Sequence, residues 1–313
     1  MTKSINKWIL IRAVVLTVVV FCLLTRVNTG GVENRQGEIE SEKGPRISEH
    51  ALNGEASKTL PNNPAEMKFS YERWKGFRSS GSKRSALVSE RAVHKIVEEL
   101  KKRIVLPFEI QVVFESCGGP DSYYDEDSHE IVICHELIDA YHYLFSRTLK
   151  GRTAQSEAVK GATVSMFLHE VAHALIDGWD LPITGREEDA ADQFSTLLLI
   201  NDMPDGDEMA LDGARSFQLM AALEKRYEKD YSDPHSLDEQ RFFETICLVY
   251  GHRPEQYEYL IRNGTLPADR AFDCEEDFTR LNKSWHTLLA RHLAYSNYQE
   301  NVRAYGSSRE EAR

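Results

Sequence analysis

Along this chain the apolar positions recur first every three or four residues, then every two, then every three or four again. From Ser85 on, Leu87, Ala92, Val93, Ile96, Val97, Leu100 and Ile104 stand among Lys, Arg and Glu, which predicts an amphipathic helix stopped by Pro107. Residues 108–114 and 129–134 alternate and predict two strands, read as a hairpin, with turns at 117–121 and 124–128. Residues 137–145 predict a short helix. Val164, Phe167, Leu168, Val171, Ala174 and Leu175 then define a helix with a buried face, for which Gly178 is the expected stop. Further helices are predicted from Arg186, over 211–227, from Ser236 to Gly251 with Glu239 completing its cap, and over 278–293.

The helix through Phe167 carries His169-Glu170-Val171-Ala172-His173, an H-E-x-x-H pattern. Histidines four apart project from one helix face a turn apart, the geometry in which two nitrogens bind one zinc ion. Glu170 points aside, placed to reach a water at the metal without ligating it. The next helix begins near Thr184-x-x-Glu187, read as a capping box that occupies Glu187. Glu188 is then the third ligand, and Asp192, on the same face, accepts the second N–H of a ligating histidine. The competing reading of Glu188 is a solvated acid that favours the helix dipole.

H-E-x-x-H followed by E-x-x-A-D (Glu188 to Asp192) resembles the glutamate-zincin metallopeptidases. HEVAHALIDGWDLPITGREEDAADQF is similar to a family catalogued as putative metallopeptidases. His235-Ser-Leu-Asp-Glu-Gln-Arg241-Phe-Phe, Cys247 and Tyr250-Gly251 also fit its pattern, from about residue 85 to 290. The resemblance implies an α+β, zincin-like fold with a small N-terminal helix and β-hairpin lobe and a mainly helical C-terminal lobe. It implies Zn2+ as cofactor, a peptide or protein substrate, and Glu170 as general base. It also implies that the strand 131–134 borders the cleft and binds substrate by strand addition. His235 is the candidate oxyanion donor, with Arg241 and Tyr250 behind it. Arg241 is otherwise expected to pair with Glu239, Glu244 or an acid of the active-site loop.

Composition narrows the partners. The 313 residues carry a formal charge of −12, which argues against nucleic acid. Lys3, Lys7 and Arg12 precede an apolar run, so residues 1–26 read as a cleaved signal peptide or a retained N-terminal anchor, the membrane being met only there. Either places the body outside the cytoplasm. Residues 27–66 read as a disordered linker, 67–298 as the folded domain and 299–313 as a flexible tail. Beyond Cys22 four cysteines remain, which in an exported chain favours two disulfides. Of three possible connectivities, Cys117–Cys134 and Cys247–Cys274 respect the two lobes. Against the peptidase stands a non-catalytic, zinc-stabilised binding protein of the cell envelope, for which an intact Glu170 has no use. The sequence leaves the oligomeric state open.

Overall fold

The computed structural model describes residues 67–71, 80–223, 231–290 and 292. The expected leader, linker and tail, the expected helical residues 224–227, and the end of the last expected helix lie outside these. Four strands form one sheet: β1 (Met67–Tyr71), β2 (Ile110–Glu115), β3 (Ser122–Asp125) and β4 (Glu130–Cys134), in the order β1-β2-β4-β3. Nine helices accompany it among the described residues: α1 (Ser80–Arg103), α2 (His135–Thr148), α3 (Arg152–Trp179), α4 (Glu187–Asp202), α5 (Gly206–Ala221), α6 (Asp238–His252), α7 (Pro254–Tyr257), α8 (Tyr259–Arg262) and α9 (Ala268–Leu289). The class is α+β and mostly helical.

The expected hairpin of the two long strands is wrong. β2 and β4 run parallel, with Val112 opposite Ile131 and Phe114 opposite Ile133. Both are buried along almost their whole length, the pattern of interior parallel strands covered on two faces. The hairpin partner of β4 is instead the short polar segment Ser122-Tyr-Tyr-Asp125, antiparallel at the sheet edge. Its turn is closed by Asp125 Oδ1, which accepts the amides of Asp127 and Ser128 at 3.0 and 2.9 Å. The edge beside the later helices is therefore β3, and β4, expected there, lies inside the sheet. Parallel pairing also brings the ends of β2 and β4 together, where Cys117–Cys134 joins them.

β4 passes directly into α2, and α3 runs through the middle of the helices, packed against α1, α2, α4 and α5 and against β3 and β4. Val159, Ala162, Val164, Phe167, Leu168, Val171, Ala172 and Leu175 are all buried, so α3 is covered on more than one face, as a central helix must be. Ala190 and Ala191 are buried too and let α4 lie close to it.

Two glycines expected as helix stops do a different job. α3 continues through Gly178 to Trp179 and ends on Asp180 at φ 49°. A Cβ on Gly178 would stand 2.3 Å from Pro107 Cγ, so this position admits the chain entering β2. Likewise α6 continues past Gly251, where a Cβ would meet the carbonyl oxygen of Cys274 at 2.1 Å. That close crossing of α6 and α9 is locked by the Cys247–Cys274 disulfide. No helix among the described residues is long and apolar enough to cross a membrane.

Candidate metal centre

The site grows from one turn of α3 and the first turns of α4. His169 and Glu170 are buried, 3 % and 4 % exposed, while His173 is half-buried. His169 Nε2 and His173 Nε2 face each other at 3.2 Å. Glu188 Oε2 faces both, at 3.1 Å from His169 and 3.3 Å from His173.

The opposite ring nitrogens decide what those atoms can do. His169 Nδ1 lies 2.8 Å from Asp192 Oδ1, and His173 Nδ1 lies 2.7 Å from Glu187 Oε1. A carboxylate at Nδ1 holds the proton there and leaves a lone pair on Nε2. With both rings neutral, two lone pairs and a carboxylate oxygen converge, an arrangement that a bound cation, metal ion or proton, relieves. Atoms about 2.0–2.1 Å from a shared zinc at the tetrahedral angle stand about 3.3 Å apart. The three observed separations fit that value, so these residues suit a metal ion. Two groups, His169, Glu170 and His173, and His169, Glu188 and His235, each gather their donor atoms within 4.8 Å.

Electrostatics point the same way. Burial pulls the His169 imidazole down, but Asp192, Glu188 and Glu170 outweigh it and raise the metal-free group to about 9. His173 is raised as well: burial opposes, and Glu188 and Glu187 prevail. Glu188 is lowered despite burial because His169, His173 and His235 surround it. Asp192 is lowered despite burial by Arg241 and His169.

Arg241 is the residue the sequence left misassigned. Its Nε donates to Asp192 Oδ2 at 2.7 Å and its Nη2 to Asp192 Oδ1 at 2.8 Å, a two-pronged pair with neither Glu239 nor Glu244 as partner. The guanidinium also lies 4.0 Å over the Phe217 ring. Arg241, Asp192 and His169 thus form a buried relay from α6 through α4 to α3. Tyr250 stands more than two helical turns beyond Arg241 on α6, about 13 Å along the axis.

The expected capping box does not form. α4 starts at Glu187 with Arg186 before it and no side-chain cap, because Glu187 turns to His173 instead. α6 likewise begins after Leu237, whose amide donates to Gln240 Oε1 at 3.1 Å. Ser236, freed from capping, donates to Asp189 Oδ1 at 2.6 Å. His235 is thereby held over the site with Nε2 2.9 Å from Glu188 Oε2 and Nδ1 3.0 Å from Asp233 Oδ1.

Ser122 went unnoticed in the sequence. Its hydroxyl donates to Glu170 Oε1 at 2.8 Å, tying the edge strand β3 to the acid of the motif. Only the fold reveals this, since Ser122 lies in a stretch without strong periodicity. Two concavities meet at these groups. One, about 690 Å³, opens between Tyr124, Glu187 and Tyr231; the other, about 360 Å³, lies behind His169 between Leu137, Met166 and Leu237. A larger one, about 1140 Å³, sits between the 182–185 loop and α9 and reaches none of His169, Glu170, His173 or Glu188.

No curated protein and no solved structure matches this chain. Residues 77–289 match the model of the family described as "Putative metallopeptidase", a span that contains every site residue named above, and the chain belongs to that family.

Proposed function

We propose that this protein is a zinc-dependent peptidase of zincin-like architecture that hydrolyses peptide bonds outside the cytoplasm. One observation carries the reading: His169 Nε2, His173 Nε2 and Glu188 Oε2 stand 3.1–3.3 Å apart, with both histidines backed at Nδ1 by carboxylates. His169, His173 and Glu188 hold the ion, and Asp192 and Glu187 orient the two rings. A zinc ion so held supplies Lewis acidity, polarising a scissile carbonyl and lowering the pKa of a water toward about 7.

The remaining chemistry belongs to the chain. Glu170 takes the proton of the attacking water and passes it to the leaving amine. Ser122 fixes the Glu170 carboxylate by its 2.8 Å hydrogen bond, so the oxygen that moves the proton is oriented before substrate arrives. The outer edge of β3, which has no partner strand among the described residues, pairs with an extended substrate backbone and puts the scissile bond beside Glu170. His235 donates to the carbonyl oxygen as negative charge develops there. Arg241 positions rather than donates, since Nε and Nη2 are committed to Asp192.

Export is supported by two disulfides, which persist in oxidising compartments. The test is cleavage of a mixed peptide library by the full-length protein and by Glu170→Gln. Cleavage abolished by a chelator, restored by zinc and lost in Glu170→Gln is expected. A Glu170→Gln protein as active as the parent would refute the assignment.

A further inference from the structure

Three imidazoles share one arrangement here, one more than the H-E-x-x-H motif supplies. His169, His173 and His235 each face a carboxylate through Nδ1: Asp192 at 2.8 Å, Glu187 at 2.7 Å and Asp233 at 3.0 Å. In each, the neutral ring keeps its proton at Nδ1 and its lone pair on Nε2. All three Nε2 atoms then point at one oxygen, Glu188 Oε2, at 3.1, 3.3 and 2.9 Å, with that of His235 nearest. The segment bearing His235 is anchored to the start of α4, which also supplies Glu188. Ser236 donates to Asp189, and Arg186 Nη1 donates to the His235 carbonyl at 3.4 Å. Asp233 Oδ1 accepts the His235 amide at 2.8 Å as well, fixing backbone and ring together.

We infer that His235 is a fourth protein ligand of the metal in the resting protein, bound through Nε2 and displaced when substrate enters. This rests on reading His169, His173 and Glu188 as a metal site. Four protein ligands close a zinc site in the manner of structural sites, whereas turnover needs one position open. His235 is the ligand able to leave: its side chain is 41 % exposed, against 4 % for His169, 15 % for His173 and 20 % for Glu188. Once displaced it takes a proton from solvent and remains beside the cleft as the donor for the carbonyl oxygen. The same residue therefore keeps the resting site shut and serves the open one.

X-ray absorption on zinc-loaded full-length protein counts the imidazoles at the metal. Three are expected in the wild type and two in His235→Ala, with chelator-driven zinc loss at least tenfold faster in the variant. Cobalt-substituted protein gives a second readout: azide is expected to change the visible spectrum of His235→Ala and leave that of the wild type unchanged. Two imidazoles in both proteins, with equal azide response, would overturn the inference and leave the three-ligand site standing. That is the outcome expected of an imidazolium that merely bridges Asp233 and Glu188. Absence of stoichiometric metal from the wild type would overturn both readings, and metal content alone tells that failure from the first.

Discussion

Removing the Arg241 side chain, by Arg241→Ala, strikes the relay that orients the His169 ring. Asp192 would be left as a nearly buried anion still bonded to His169 but without the guanidinium that balances it. Breaking a buried ion pair from one side costs about 3–5 kcal/mol, because the surviving charge stays uncompensated. Loss of the guanidinium over Phe217 falls within the same range rather than adding to it, since the two contacts share one group. For a domain of this size each kcal/mol moves the melting temperature by about 2–4 °C, so a fall of about 6–20 °C is expected. The second consequence is local: Asp192 no longer holds the His169 ring in register, and zinc affinity drops about 10–100-fold. Calorimetry and a competitive zinc titration measure the two effects. The double variant Arg241→Met/Asp192→Asn, which removes the stranded charge, is predicted to be more stable than Arg241→Ala while binding zinc no better. Arg241→Ala within about 1 kcal/mol of the parent, with unchanged zinc affinity, would refute the relay.

Ser122→Ala is predicted to lower kcat about tenfold with zinc content unchanged, because only the orientation of Glu170 is lost; a purely structural Ser122 would leave kcat alone. In metal-free protein, His169 is raised from about 6.5 unfolded to about 9 folded, so its contribution is complete below pH 6.5 and fades as pH climbs through 9. The urea midpoint of chelated protein is thus expected to fall between about pH 6 and 10 by the equivalent of about 3 kcal/mol, while zinc affinity rises over the same window as the metal displaces that proton; a flat midpoint would contradict this. Replacing Cys247 and Cys274 by alanine removes a loop closure across a sequence separation of 27, worth about 3.5 kcal/mol, which thermal unfolding with and without reductant reports. Gly251→Ala is predicted to destabilise by about 3 kcal/mol, the upper end of the usual overpacking cost, since the added carbon meets backbone; a change below about 1 kcal/mol would show that α6 and α9 separate freely.

What the sequence made legible followed from local spacing. The i, i+4 histidines, the apolar face of α3 and the acids opening α4 are all readable because a helix converts spacing into direction. The two disulfides followed from number and proximity. Contacts made across the fold were not readable. Parallel pairing of β2 with β4 needed the knowledge that residues 122–125, polar and unremarkable, fold back to the edge. Glu187 looked committed to a cap, yet its carboxylate meets His173 Nδ1 at 2.7 Å, a contact that only the packing of α3 on α4 creates. Arg241 had nearer acids in sequence than Asp192, and only the packing of α6 on α4 chooses among them. Gly178 and Gly251 carry the same lesson: a glycine near a helix end reads as a stop, but here both sit where another segment passes too close for a Cβ.

A metal held by His169, His173 and Glu188 underlies every proposal made for the site. Elemental analysis of the purified full-length protein beside Glu188→Ala tests it most directly. One zinc per chain is expected in the wild type, and in the variant its loss or a dissociation constant raised at least a hundredfold. A wild-type protein without stoichiometric metal, refolded and dialysed against zinc, would contradict it.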